Sequence, residues 1–383
     1  MKIKLMNKIA KIGTDRFDTT KFTVGEDVES PDAIMVRSAQ IEEEMLGDNL
    51  LAIARAGAGV NNIPVDKCAE RGIAVFNTPG ANANAVKELA ICAILLAARD
   101  VAGGIKFAES LTDDVAKAVE KGKGKFAGNE ILGKTLGVIG LGAIGGLVAN
   151  SARALGMNVV GHDPYLTVRA AWSISNSVHN AKDYDEIYKS ADFITLHVPS
   201  TPTTKGMINK EAISKMKNGV KIINLARADL VDTEALKEAL ESGKVSAYVT
   251  DFPTEATLGV KGVVNIPHLG ASTVESEDNC AVMAANELSD YLLYGNIVNS
   301  VNYPTVELPY VGAHRICIVH KNINSMFSKM TSVVSSTGAN IENVASGSRG
   351  EYAYTILELY EKVDESVAPK IMEIEGVIKV RIL

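Results

Sequence analysis

Three residues suited to proton transfer and anion binding stand at the ends of short apolar runs in the middle of this chain. They are Arg227 in "INLARADLVD", Glu255 in "TDFPTEATLG" and His268 in "VVNIPHLGAST". An imidazole is the side chain best matched to moving a proton near neutral pH. A carboxylate beside it stabilises its charged form and fixes its tautomer. A guanidinium forks onto a carboxylate or ketone oxygen. Together they suit removal of a proton from an alcohol, or its return to a ketone, on an anionic small molecule. Parallel sheets gather ligands at the carboxyl ends of their strands, so residues following neighbouring strands share one edge.

Such an alcohol–ketone conversion needs a hydride acceptor, and the chain carries a signal for one. Gly140, Gly142 and Gly145 in "GVIGLGAIGG" have G-x-G-x-x-G spacing, with a strand-like run before and a helix-like run after. The first glycine allows a tight turn, the second admits a pyrophosphate to the backbone, and the third lets helix and strand pack closely. The phosphates then meet free N–H groups at a helix N-terminus. Asp163 in "VVGHDPY" lies 21 residues after Gly142. A carboxylate there binds ribose hydroxyls and repels a 2′-phosphate, which favours NAD over NADP. His197 in "TLHVPSTPTT" ends another strand and is read as lining the cofactor crevice.

The elements that position these residues are legible as alternating patterns. "DAIMVRS", "LLAIARAG" and "IAVFNTP" read as buried parallel strands. "ANAVKELAICAILLAARDVAGGIKFAESL" reads as one long helix, broken off by the charged loop that holds Lys123 and Lys125. A second series, "TLGVIGLG", "NVVGHD", "DFITLHVP", "VKIINLA", "VSAYVTDF" and "VVNIPH", predicts six strands with helices between. "ASTVESEDNCAVMAANELSDYLLYGN" reads as a long amphipathic helix, with Ser272 and Glu275 at capping-box spacing at its start. After a proline-containing linker, the last seventy or so residues follow a βαββαβ order, a ferredoxin-like module. The fold class is α/β: two doubly wound parallel-sheet domains, one Rossmann-type and one flavodoxin-like, plus that module. The boundaries drawn are 1–83 with 273–301 for substrate, 84–272 for NAD, 302–312 for the linker and 313–383 for the module.

Bulk properties agree with a protein handling small molecules. The 383 residues are 46% hydrophobic and 22% charged, with a net charge of −7. An acidic balance argues against a nucleic-acid or membrane-surface partner, and an anionic substrate needs a local cluster of arginines. Four scattered cysteines without metal spacing read as free thiols of a cytosolic chain.

"VRSA", "ARAGAGVNNIPVDKCAERGIAVFNTPGANANAVKELA", "GKTLGVIGLGAIG", "LHVPSTPTTKGMI", "INLARADLVD" and "PHLGAST", in this order, resemble the D-2-hydroxyacid dehydrogenase family. Within it they resemble the phosphoglycerate dehydrogenases that end in an ACT domain. The resemblance implies Arg227, Glu255 and His268 as the catalytic trio. It implies substrate contacts at Arg37, Ser38, Arg55, Ala58, Gly59, Val60 and Asn82. It extends the NAD contacts to Ala143, Ile144, Val198, Pro199, Thr204, Asp251 and Gly270. In the ACT-like module it implies His320, Asn322 and Asn340 as ligands of an L-serine effector, and a homodimer or homotetramer.

Four departures stand out. Asp251 is four residues before Glu255, where many members have five, and the Glu255–His268 segment is short. Ala143 replaces a frequently basic residue, and Asn324-Ser325 replaces a Pro-Gly pair, with Ser325 expected to cap the next helix. Two other functions are compatible with the trio or the fold. One is reduction of glyoxylate, hydroxypyruvate or another 2-keto acid; the other is non-catalytic NAD sensing.

Overall fold

The computed structural model describes residues 1–312 and 314–383; Ala313, the expected first residue of the terminal module, lies outside them. The chain divides into two compact units, Met1–Asn82 with Val274–Leu383, and Ala83–Thr273.

The first unit holds strands β1 (Lys2–Met6), β2 (Thr23–Gly25), β3 (Ala33–Val36), β4 (Ala52–Arg55) and β5 (Ala74–Phe76). They form one parallel sheet in the order β2-β1-β3-β4-β5, the flavodoxin-like order. All four residues of β3 are buried. The period of two sends Ala33 and Met35 to one core and Ile34 and Val36 to the other. The first core is closed by the helix Val274–Tyr294 through Leu288, Tyr291 and Leu292. That helix begins after Thr273, so Ser272 lies two residues before it; the Ser272 hydroxyl donates to the His268 carbonyl (3.5 Å).

In the second unit are β6 (Thr135–Ile139), β7 (Asn158–His162), β8 (His179–Asn180), β9 (Phe193–Leu196), β10 (Val220–Asn224), β11 (Val245–Thr250) and β12 (Val263–Asn265). Their parallel order is β12-β11-β10-β9-β6-β7-β8. Chain direction across the sheet reverses between β6 and β9, the switch point where such sheets bind ligands. The six expected strands are present, and β8 is a seventh. The expected long helix is two, Ala83–Ala98 and Val101–Glu109. Asp100 interrupts it because its side chain accepts the Gly103 N–H (2.9 Å) as an N-cap.

The C-terminal strands β13 (His314–Lys321), β14 (Ile341–Arg349), β15 (Tyr352–Leu359) and β16 (Val377–Ile382) make an antiparallel sheet in the order β14-β15-β13-β16. With the helices Met326–Ser335 and Val367–Met372 this is the expected ferredoxin-like module. It is fastened within the first unit. Arg315, fully buried, donates to Glu358 (2.9 Å) and to the Tyr294 carbonyl (2.7 Å). Arg381 donates to the Leu292 carbonyl (2.7 Å), so two cations meet the carbonyl end of the long helix. The stretch read as a linker is packed rather than free. Asn302 accepts the Val75 N–H (2.9 Å), and the Tyr303 hydroxyl donates to the Ala69 carbonyl (2.6 Å). Among the described residues no helix is long and apolar enough to cross a membrane.

Candidate active site

The turn after β6 is shaped for a pyrophosphate. Gly140 has φ +90°, and a Cβ there would stand 2.9 Å from the His197 backbone. A Cβ on Gly145 would drive into the Gly140 carbonyl, so helix and strand touch only because neither residue has a side chain. Gly142 has nothing within 4 Å of its Cβ position, which leaves that face of the turn open. It precedes the helix Ala143–Ala154 without a side-chain cap. The N–H groups of the first turn, beginning with Ala143 and Ile144, therefore have no intrahelical acceptor. Asp163 closes the other side, its carboxylate accepting Leu141 N–H and Tyr165 N–H, each at 2.9 Å. Each carboxylate oxygen keeps acceptor capacity for a ribose hydroxyl.

His197 Nε2 lies 2.9 Å from the Thr195 hydroxyl. Burial lowers its pKa to about 4, so the ring is neutral at pH 7. Next to it, a Val198 methyl lies 2.9 Å from the Gly140 Cβ position. The Thr204 hydroxyl donates to the Pro199 carbonyl (2.6 Å), closing the following loop. His162 is structural: its Nδ1 pairs with the Ala181 carbonyl (2.8 Å) and its ring meets the edge of Tyr184.

Arg227, Asp251 and His268 follow three adjacent strands whose ends are level, since Asn224 pairs with Thr250 and Thr250 with Asn265. Asn224, fully buried, shapes the turn that carries Arg227. Its Oδ1 accepts Ala226 N–H (3.1 Å) and its Nδ2 donates to the Arg227 carbonyl (2.8 Å). The guanidinium of Arg227 stands 5.7 Å over the ring of Phe252. The same ring lies 4.6 Å from the imidazole of His268 at 45°.

Asp251 is 1% exposed and accepts the Gly270 N–H (3.1 Å) through Oδ2. Its Oδ1 has no hydrogen-bond partner among the described residues. Burial raises its pKa, and the Gly270 hydrogen bond and the nearby charges of His268 and Arg227 oppose that rise.

Glu255 is exposed, and no hydrogen bond joins it to His268. Its turn is closed on itself, Thr257 N–H to Thr254 carbonyl (2.9 Å), and tied to β12 by Asn265 Nδ2 to the Thr257 carbonyl (2.9 Å). Sequence reasoning missed Asn224 and Phe252. The available signal was a polar and an aromatic residue at the ends of otherwise apolar strands.

In the first unit, the Arg37 guanidinium donates to Glu277 (2.6 Å) and Arg55 Nε donates to the Arg37 carbonyl (3.1 Å). Ser38 N–H donates to Asn7 (3.0 Å), and Asn77 Nδ2 donates to the Ala58 carbonyl (2.6 Å). Gly59, Val60 and Asn82 are half-buried. Asn7, Asn77 and Glu277 were not foreseen.

The three effector candidates are not brought together. His320 is buried, with Nδ1 on the Lys321 carbonyl (2.8 Å) and Nε2 on Thr355 (3.0 Å). Asn322 Nδ2 donates to the Gly350 carbonyl (3.1 Å). Asn340 precedes Ile341, which pairs with Leu359, as does His314. It therefore lies at the other end of the sheet from His320, roughly 20 Å along the strands. Ser325 makes no side-chain cap; its φ of +64° is the left-handed conformation in which a glycine would rest without strain.

A family model described as D-isomer specific 2-hydroxyacid dehydrogenase, NAD binding domain, matches residues 98–270. A hydroxypyruvate reductase of Thermotoga maritima is 43% identical over 261 residues, 64% of this chain and 80% of that one. The chain belongs to the D-isomer specific 2-hydroxyacid dehydrogenase family. Another relative in that comparison, a D-3-phosphoglycerate dehydrogenase of Methanocaldococcus jannaschii, is 37% identical over 318 residues, 80% of this chain and 59% of that one. The chain spans about half the length of the curated phosphoglycerate dehydrogenases it matches, at 59%, 49% and 52% for three of them. Among solved structures, NAD+-bound 3-phosphoglycerate dehydrogenase of Entamoeba histolytica is 27% identical with a TM-score of 0.61, covering 79% of this chain and 98% of that one. The turn around Gly142 and Asp163 thus lie in the family's NAD-binding domain. The open face of Gly142 and the orphaned Oδ1 of Asp251 fit a dinucleotide with a polar group at its nicotinamide end.

Proposed function

We propose that this chain oxidises D-3-phosphoglycerate to 3-phosphohydroxypyruvate with NAD, the first step of L-serine biosynthesis. The observation that carries the reading is Arg227 and His268 at the level ends of β10 and β12, on either side of β11, in a sheet that also carries the glycine turn. The names of the phosphoglycerate dehydrogenase relatives support the substrate.

Bound NAD supplies the hydride acceptor. Gly140, Gly142, Ala143, Ile144, Gly145 and Asp163 hold its phosphates and ribose. His197, Val198, Pro199, Thr204, Asp251 and Gly270 line the rest. Arg227 takes the substrate's carboxylate and the oxygen of the reacting carbon. His268 accepts the hydroxyl proton as the alcohol becomes a ketone, a role that contributes ~10²–10⁴-fold. Glu255 swings to the imidazole when substrate is present and stabilises its charged form; catalytic hydrogen bonds are often made only in the complex. Arg37, Ser38, Arg55, the Ala58–Gly59–Val60 backbone and Asn82 bind carboxylate and phosphate. The protein works in the cytosol as a homodimer or homotetramer; L-serine is the effector proposed for its C-terminal module, where His320 and Asn322 stand at one end of the sheet and Asn340 at the other.

The test is a panel followed by reduced-nicotinamide absorbance: 3-phosphoglycerate with NAD or NADP, then phosphohydroxypyruvate, hydroxypyruvate and glyoxylate with NADH. Preference for the phosphorylated pair with NAD supports the reading. Preference for an unphosphorylated keto acid favours the second reading, a hydroxypyruvate or glyoxylate reductase. The 43% identity to the Thermotoga maritima enzyme speaks for that alternative. Millimolar L-serine in the same assay tests the effector, and an unchanged rate makes the module structural.

A further inference from the structure

Phe252 is half-buried directly after Asp251, and its ring touches both groups assigned the chemistry. The Arg227 guanidinium stands 5.7 Å over it, and the His268 imidazole lies 4.6 Å from its centroid. The backbone is fixed on either side. Phe252 N–H donates to the hydroxyl of buried Thr250 (3.1 Å), and Asp251 holds Gly270 N–H. His268 is exposed and otherwise loosely held: among the described residues neither ring nitrogen makes a hydrogen bond, and Glu255 makes none to it.

An aromatic face attracts a guanidinium and an imidazolium without accepting a conventional hydrogen bond from either. It therefore orients both groups while consuming none of their N–H donors; of the Arg227 donors, Nη1 meets the Ala226 carbonyl (2.6 Å) and the others are left to the substrate. A polar support would consume those donors. Close to the ring is a cavity of about 240 Å³, lined by Phe252 with Leu236, Tyr248, Thr254 and Thr257. The ring is thus not a keystone of the core, and a smaller residue would leave Arg227 and His268 without their shared support.

We propose that Phe252 is a positioning residue for the hydride-transfer reaction, its ring holding Arg227 and His268 in register. The inference rests on the roles proposed for those two residues but not on the phosphate of the substrate. The test compares wild type, Phe252→Leu, Phe252→Tyr, Arg227→Gln and His268→Ala on the best 2-keto acid of the panel. Melting temperature and NADH affinity are measured alongside. Misplacing a catalytic group typically costs on the order of 10–100-fold. Phe252→Leu should lose that much in kcat with unchanged NADH affinity and folding, and Phe252→Tyr should restore most of it. A Phe252→Leu kcat within twofold of wild type, or a loss that merely follows lost folding or NADH affinity, overturns the proposal. Full activity in Arg227→Gln and His268→Ala would instead overturn the reading on which it rests.

Discussion

Arg37 and Glu277 form an ion pair of 2.6 Å in the first unit, both about 41% exposed. The arginine expected to receive an anion is therefore already partnered by a carboxylate from the long helix Val274–Tyr294. A half-exposed pair of this kind is weak, so a dianionic phosphate can displace it. Glu277→Gln should lower KM for phosphorylated substrate by about two- to fivefold and leave unphosphorylated keto acids unchanged. Equal shifts for both classes would separate Arg37 from the phosphate.

The glycine turn predicts two variants with opposite failures. Gly142→Ala meets nothing within 4 Å and keeps an ordinary φ of −67°. It should melt like wild type yet bind NAD at least about tenfold more weakly, because its methyl occupies the pyrophosphate's approach. Gly145→Ala pushes a methyl into the Gly140 carbonyl. It should destabilise the protein by ~1–3 kcal/mol or more. Calorimetry and NAD titration of both variants separate the roles.

Asp163 accepts backbone N–H groups from Leu141 and Tyr165, and it is the acid proposed to meet a ribose hydroxyl. Replacing it with Ser removes both the acceptor charge and the repulsion of a 2′-phosphate. The NAD-over-NADP ratio of kcat/KM should fall on the order of 10–100-fold. An unchanged ratio would show that the carboxylate serves only the turn.

Glu287 predicts how stability depends on pH. It is 8% exposed, its Oε1 accepts a hydrogen bond from Asn299 Nδ2 (2.7 Å), and its Oε2 has no partner among the described residues. Burial raises its pKa from 4.5 to about 8. The folded state thus holds a proton that the unfolded chain releases above pH 4.5. Stability should fall between pH 4.5 and 8 by a few kcal/mol, at roughly 1.4 kcal/mol per pH unit at most. Glu287→Gln should remove this slope and raise the melting temperature at pH 8 by several degrees, with little gain at pH 4.5. Parallel melting curves against pH for the two proteins would refute this.

Much of this was legible in the sequence, and what was hidden has physical reasons. The Gly140–Gly142–Gly145 turn could be read because its spacing is a steric requirement of one chain segment. β8 could not, since His179–Asn180 is two exposed polar residues with no apolar run. The break at Asp100 was masked because apolar residues continue through Val101, and only the cap on Gly103 ends the helix. Strand order was read as bringing Arg227, Glu255 and His268 to one edge; Arg227 and His268 follow level strand ends there, and the residue directly after the strand between them is Asp251. Which carboxylate meets the imidazole depends on turn geometry that spacing does not specify, and Glu255 and His268 make no hydrogen bond. Asn224 and Phe252 carry meaning only through what they touch. Asn340 and His320 share a module, but antiparallel register sends them to opposite ends.

The most direct test of the central claim is the initial rate of NADH oxidation with phosphohydroxypyruvate, measured for wild type and His268→Ala at matched NADH occupancy. The account predicts turnover by the wild type and a loss of ~10²–10⁴-fold in the variant, with NADH affinity preserved. Equal rates, or no turnover by the wild type, would contradict it.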